Sequence, residues 1–510
     1  MKKVIQLCAL AAAVAAMMTS CRNDPPDITA PTVTAFAPAN NAQNVYLKDE
    51  ISVTFSEAMQ PSSVTATTVS LTQGQTPISS TLTLDAAGTK LIIKPTARPN
   101  PLTGAITITA DGVKDIAGNA LTKTSSSFSA PEWQAPGGTA PLDLNVALTA
   151  DTTAKSLALD SNGNQVVAWS ESDGTSTNIY VKRWNGSSWT QVGGLLDVNT
   201  NKDATYPALK LDASGNPVVV WKELDSSTSK IYAKRWNGSA WVLIGSSALS
   251  GSLGAEAPAL ALDGSGNPVV AWRVFSTSPL FSNIQVARWD GSAWVNVGGK
   301  LDVNDSGNTD FAAFNPSVGL TSSGNPVVAW SESDGSSRNI YVKRWDGSAW
   351  TQVGGKLDVS SAQNAFTPAI ALDSSGNPVV AWNEAGTGSA GSVYVKRWNG
   401  AVWAQIGFDA LDVNTNATIG TGGPSLALEA GSNPVVAWND FDGTSYNAHV
   451  KRWNNGVWEI VGATNLDTNL AQNVYGVSLA LDGSGSPSVA WNEYDGISYN
   501  VFVKRLNRIP

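Results

Sequence analysis

The chain has 510 residues and a formal net charge of −9, from 32 Lys and Arg against 41 Asp and Glu. That acidic balance argues against nucleic acid and against anionic lipid head groups as partners. With two cysteines and one histidine, neither a Cys/His metal cluster nor a disulfide framework can be assembled, and a Ser/His/Asp constellation has only His449 to draw on.

Met1-Lys2-Lys3 opens the chain, residues 4–18 are apolar, and Met18-Thr19-Ser20-Cys21 follows. The stretch is too short to span a membrane and ends in small residues, as a secretory signal does. It resembles the bacterial lipoprotein signal. The resemblance implies removal of residues 1–20 and lipidation of Cys21 as the mature first residue, and losing Lys2 and Lys3 takes the charge from −9 to −11. Arg22 follows the cysteine, where some inner-membrane lipoproteins carry a retention Asp, so the expected location is the outer membrane or cell surface, with membrane contact through the lipid anchor alone. Residues 21–31, with Pro25-Pro26, read as a polar tether.

Residues 32–130 contain no tryptophan and alternate apolar and polar positions in short runs such as Ile51-Ser-Val-Thr-Phe55 and Ala105-Ile-Thr-Ile-Thr109. Gly, Pro, Asn and Asp turns separate them, a sandwich pattern. Phe55-Ser56-Glu57-Ala58-Met59, Leu91-Ile92-Ile93-Lys94-Pro95 and Val113-Lys114-Asp115-Ile116-Ala117-Gly118-Asn119 resemble the bacterial Ig-like domain of surface and S-layer proteins. That resemblance implies a spacer.

From residue 131 to 510 the chain repeats. Ile340-Tyr-Val-Lys-Arg-Trp345-Asp346-Gly347-Ser-Ala-Trp350 reads as two strands about an Asp-Gly turn, because both central residues of a type I′ turn need positive φ. Another hairpin precedes it, ending in Val327-Val-Ala-Trp330. This Trp recurs as Trp169, Trp221, Trp272, Trp330, Trp382, Trp438 and Trp491, at a spacing of 51 to 58 residues. Four strands per repeat at that spacing predict propeller blades, seven of them. The last copy stops at Leu506, before its fourth strand, and Glu132-Trp133-Gln134-Ala-Pro-Gly-Gly138 supplies the missing piece. The fold class expected is therefore all-β: an Ig-like β-sandwich followed by a seven-bladed β-propeller closed by an N-terminal strand that completes the last blade.

Calling the strands of a blade a to d from the axis outward, the a–b and c–d turns are nearly identical in every copy, whereas the b–c and inter-blade connections diverge. Loops released from the demands of the repeat are the natural place for a ligand. On that variable face an acid follows the strand b Trp by two residues, at Glu171, Glu223, Glu332, Glu384, Asp440 and Glu493, with Val274 the exception. A second acidic set, Asp143, Asp197, Asp302, Asp358, Asp412 and Asp467, opens the inter-blade loops, and Tyr206, Phe314, Phe366 and Tyr475 enter strand a on the same side. Carboxylates beside aromatic faces suit a glycan, whose hydroxyls lie at its edges and whose C–H faces stack on rings. The plain alternative is that the carboxylates accept backbone hydrogen bonds and fix loop ends. The recurrent Arg before each c–d turn, from Arg183 to Arg505, is expected to pair with the Asp that ends strand a, such as Asp160 and Asp373.

His449 stands where the first copy has Tyr180 and reads as a core substitution. Asp302, Asn304, Ser306 and Asp310 loosely match a calcium loop. The sialidase turn motif is incomplete, since Asp346 directly precedes Gly347. With no catalytic motif and no cofactor site, the sequence points to a monomeric binding or adhesion module, not an enzyme, for a glycan or an envelope or extracellular protein. A carbohydrate-active enzyme using paired carboxylates, or an envelope assembly scaffold, are the alternatives.

Overall fold

The computed structural model describes residues 26–43, 45, 47, 50–96, 105–130, 132–144, 150–151, 156–277, 280–303, 312–386, 391–407, 410–413, 422–462 and 466–507. Residues 1–20, expected to be a signal, and Cys21 lie outside them. The chain divides into two compact units, the second spanning Glu132–Arg508.

The first unit holds two four-stranded antiparallel sheets. One orders its strands Val33–Ala37, Ile51–Phe55, Lys90–Pro95, Ser80–Leu84; the other Thr76–Pro77, Val69–Gln73, Ala105–Ala110, Thr124–Ser129. Alternation decides what they bury: Leu91 and Ile93 are inside while Ile92 between them is exposed. Val53, Leu91, Ile106, Ile108 and Phe128 share one core.

Among the described residues the second unit contains seven antiparallel sheets. The fourth is representative, with strands Ala313–Leu320, Pro326–Ser333, Arg338–Trp345 and Trp350–Gln352 hydrogen-bonded in sequence order. The last sheet takes its outer strand from the opposite end of the unit: Trp133 pairs with Leu506 and Gln134 with Arg505. Its neighbour is the first sheet, because Leu142, Leu157, Val167 and Trp169 share a core with Ala490, Val501 and Val503. The sheets therefore close on themselves as a β-propeller.

Strand b is apolar on both sides because each sheet is packed on both faces. Its seven tryptophans, Trp169 to Trp491, are fully buried. The c–d tryptophans pair edge to face, for example Trp398 with Trp403 at 5.5 Å. The indole of Trp403 donates to the Val353 carbonyl of the preceding blade at 2.8 Å. Gly354, at φ +69°, lies against that same Trp pair, and a Cβ there would come within 2.5 Å of Trp398 Cζ3. This contact explains a glycine in the same place in successive repeats.

The expected pairing of Arg with the strand-a Asp needs correction. Arg235 donates instead to the Gly266 carbonyl of the next blade's a–b turn and Arg397 to that of Ser432, and Arg344 and Arg452, whose blades have Thr321 and Glu429 at the Asp position, do the same to Gly376 at 2.6 Å and Gly485 at 2.8 Å. Asp373 caps its own turn, accepting the Ser375 and Asn377 amides. In the sixth blade an acid at the expected position does meet the Arg of the same blade: Glu429 lies 2.7 Å from Arg452. A backbone acceptor serves the first six copies, whatever side chain ends strand a.

Candidate functional site

The acids that follow the strand b Trp are committed to the fold. Glu332 Oε2 accepts the Trp330 indole at 2.7 Å, and its Oε1 accepts the Val303 amide of the inter-blade loop at 2.9 Å. Glu223 bridges Trp221 at 2.8 Å to the amides of Val198 and Asn199. Glu171, Glu384 and Glu493 repeat the arrangement. Asp440 is one methylene shorter and accepts the loop amide of Val413 at 2.9 Å, while the Trp438 indole has no partner among the described residues. All six side chains are buried, so the reading of them as ligand-binding groups is corrected: they tie each inter-blade loop to the blade it enters. Replacing Glu223 by Ala orphans a buried indole and two amides, and we expect a loss of about 2–4 kcal/mol in urea unfolding.

The second acidic set completes this lock. Asp197 accepts the Ile179 amide at 2.9 Å and Asp143 the Val501 amide at 2.8 Å. Lys343 donates to the Asp302 carbonyl at 2.6 Å while lying 6.0 Å from the Trp330 ring. Burial pushes Asp143, Asp197 and Asp467 up to about 7. The folded chain thus retains protons that the unfolded chain has released above pH 4, and stability contributed by these groups is lost as the pH rises through 7. His449, 5.8 Å from Trp438 and buried at the Tyr180 position, is held below its usual value by burial and works the other way, one group against three. Stability is expected to fall between pH 5 and pH 8 by on the order of 3 kcal/mol. The triple variant Asp143→Asn, Asp197→Asn, Asp467→Asn should flatten the urea midpoint over that range.

One blade lacks the lock. In the third blade Val274 replaces the acid, Gln285 the strand c aromatic and Ala287 the Lys, while Ser250 stands for the loop Asp. The buried Trp272 indole has no hydrogen-bond partner among the described residues. Here, between the second and third blades, the variable face opens into a groove of about 630 Å³. Asp203, Thr205, Lys222, Ser229, Glu256 and Phe275 line it. Phe275 can stand in its wall because Gly254 has no side chain, a Cβ there falling 2.7 Å from the ring. Glu256 is ion-paired with Arg273, and Asp203 accepts the Thr177 amide at 2.9 Å. The sequence signal was the set of four coordinated departures in one repeat, of which Val274 alone stands out by inspection.

The four aromatics separate. Phe314 and Phe366 occupy the same strand-a register, opposite Ser331 and Asn383, and are flanked by Arg273 and Arg338. Tyr475 shares that register but joins a cluster with Tyr446 at 5.4 Å and Tyr499 at 5.6 Å. Tyr206 is one residue further on, at the strand bulge with φ +56°, half exposed, with Lys222 Nζ 5.1 Å from its ring. Ala257, Asn315 and Thr367 take the same positive φ in the next three blades, each before a proline. Such strain is held only where packing over-determines it, and these bulges ring the mouth of an axial channel of about 340 Å³.

Of the calcium-loop candidates, Asn304, Ser306 and Asp310 lie outside the described residues, and the Asp302 carbonyl is taken by Lys343. In the first unit Asp27, Glu57 and Asp115 bring carboxylate oxygens within 4.8 Å of one another, but Asn119 already donates to Asp115 at 2.8 Å.

Residues 27–130 match the bacterial Ig-like domain. The Ig-like domain's two sheets are the sandwich described above. No curated protein matches the chain. Among solved structures, an ulvan lyase bound to a glucuronyl-rhamnose-3-sulfate oligosaccharide is similar at 13% identity, covering 70% of this chain and 94% of that one, with a TM-score of 0.49. An α-L-arabinanase of Penicillium chrysogenum with arabinobiose is similar at 11% identity over 70% and 98%, TM-score 0.40. The Aleuria aurantia lectin with a fucosyl-GlcNAc is similar at 14% over 65% and 98%, TM-score 0.37. Two of these three are enzymes, so the expectation that the chain is not an enzyme does not stand; at these identities the likeness itself shows the fold alone.

Proposed function

We propose that the chain is an envelope lipoprotein, anchored through Cys21, whose seven-bladed propeller engages a glycan on its variable face. The observation that carries this reading is the groove between the second and third blades, opened where the repeated lock is absent. Its volume is that of a small-molecule site, and its wall sets hydroxyl and charged groups beside the Phe275 ring. Lys222 and Ser229 would meet sugar hydroxyls, and the Phe275 ring would take a C–H face. Bond cleavage is the second reading, favoured by two carboxylates, Asp203 and Glu256, on the groove.

A glycan array with the purified chain, followed by calorimetry on the best ligand, tests it. Phe275→Ala should weaken binding at least tenfold and Ser348→Ala, in a c–d turn on the opposite face, should not. Binding of no glycan, or equal loss in both variants, would remove the proposal. Reducing-end or unsaturated products after incubation would favour the second reading.

A further inference from the structure

Three cations break the repeat on the variable face of successive blades. Lys222 and Arg273 occupy the strand b position that holds Ser170, Ser331, Asn383, Asn439 and Asn492 in the other blades. Arg338 occupies the strand c position that holds Thr177, Ser229, Ser282, Gly391, Tyr446 and Tyr499 elsewhere. On a chain of net charge −9 such a cluster is a local departure.

The two guanidinium groups belong to a ladder that leads away from the groove. Arg273 lies 5.0 Å from the Phe275 ring and 4.1 Å from Phe314; Arg338 lies 4.3 Å from Phe314 and 5.4 Å from Phe366. Two like charges share one ring. Arg273 is neutralised by Glu256 and hydrogen-bonded to Ser282 at 2.6 Å. The Arg338 guanidinium, half-buried between its rings, has no acidic or hydrogen-bonding partner among the described residues, and neither has the Lys222 ammonium. Stacking fixes a guanidinium by its flat faces and leaves its N–H edge for a planar or tetrahedral oxyanion. A half-desolvated cation beside another cation is costly unless an anion completes the site.

We infer that the ligand is an acidic polysaccharide, whose carboxylate or sulfate groups are met by Lys222 at the groove and by Arg338 on the ladder. This rests on the glycan reading above and narrows it to a charge class. Sugar rings would lie beside this ladder while their anionic substituents reach the cations.

The test compares polymers that differ in charge alone: polygalacturonate against its methyl ester for carboxylate, and dextran sulfate against dextran for sulfate. Affinity of the full chain is measured by calorimetry at two salt concentrations. At least one acidic polymer should bind tenfold or more above its neutral partner, and the pair that shows the excess identifies the anion. Lys222→Gln and Arg338→Gln should each lower that affinity about tenfold and reduce its salt dependence, with the thermal midpoint retained. Lys94→Gln, in the other unit, should change nothing. Equal binding of charged and neutral polymers would overturn the inference and leave glycan recognition standing. An acidic preference unchanged in both variants would overturn it too, and binding of none of the four would remove both readings.

Discussion

Deleting residues 132–144 is expected to abolish the cooperative unfolding transition of the propeller. This segment holds the last sheet to the first from both sides. Toward the last sheet, Trp133 is buried against Leu506, the Asn507 amide donates to the Glu132 carbonyl at 2.7 Å, and Leu142 and Asp143 bracket Val501. Toward the first, the Trp189 indole donates to the Pro136 carbonyl at 2.7 Å, Lys182 to the Leu142 carbonyl, and the Leu144 amide to Glu171 at 3.1 Å. Removing it leaves buried donors unpaired, exposes two apolar sheet faces, and takes away a loss comparable with the 5–15 kcal/mol that keeps a typical domain folded. Near-ultraviolet circular dichroism should lose its Trp signal and a hydrophobic dye should bind. A sharp transition within a few degrees of the parent would mean that the ring does not depend on this seam.

Trp330→Ala should cost about 3–5 kcal/mol, the largest effect we expect from one substitution. The side chain is fully buried in a core shared with Ala259, Ala271, Ile284 and Leu301 of the third blade and the loop after it. Its loss leaves a cavity between blades and removes a donor from the buried Glu332 carboxylate. Trp to Phe separates the two terms. Trp330→Phe keeps most of the volume but loses the hydrogen bond, whereas Trp272→Phe removes an indole N–H with no partner among the described residues. Urea midpoints should show the first variant clearly less stable than the second; equal losses would deny the acid its part in the lock.

Much of the fold was legible because repetition exposes register. The lone Trp133 outside the other copies was enough to place the closing strand, and the positions around it fix which residues it pairs with. The site was harder to read, for a physical reason. An acid repeated in six blades is what a symmetric ligand site would show and equally what a structural tie would show, and the sequence does not reveal that its partners are an indole N–H and loop amides. Backbone acceptors are silent for the same reason, so Arg235 was set against Asp212 and found the carbonyl of Gly266. Tyr206 was set level with Phe314, but the bulge before Pro207 moves it one place along. Information about function lay instead in the exceptions: Val274, Gln285 and Ala287 where the lock is lost, and Lys222, Arg273 and Arg338 where charge replaces an uncharged residue.

Amide hydrogen exchange of the full chain, with and without its best-binding glycan, tests the location of the site most directly. Protection confined to segments 203–205, 222–229, 252–256 and 275–276, which line the groove, is the predicted result. Protection centred on the c–d turns around 346–350, or none in the groove segments, would contradict it.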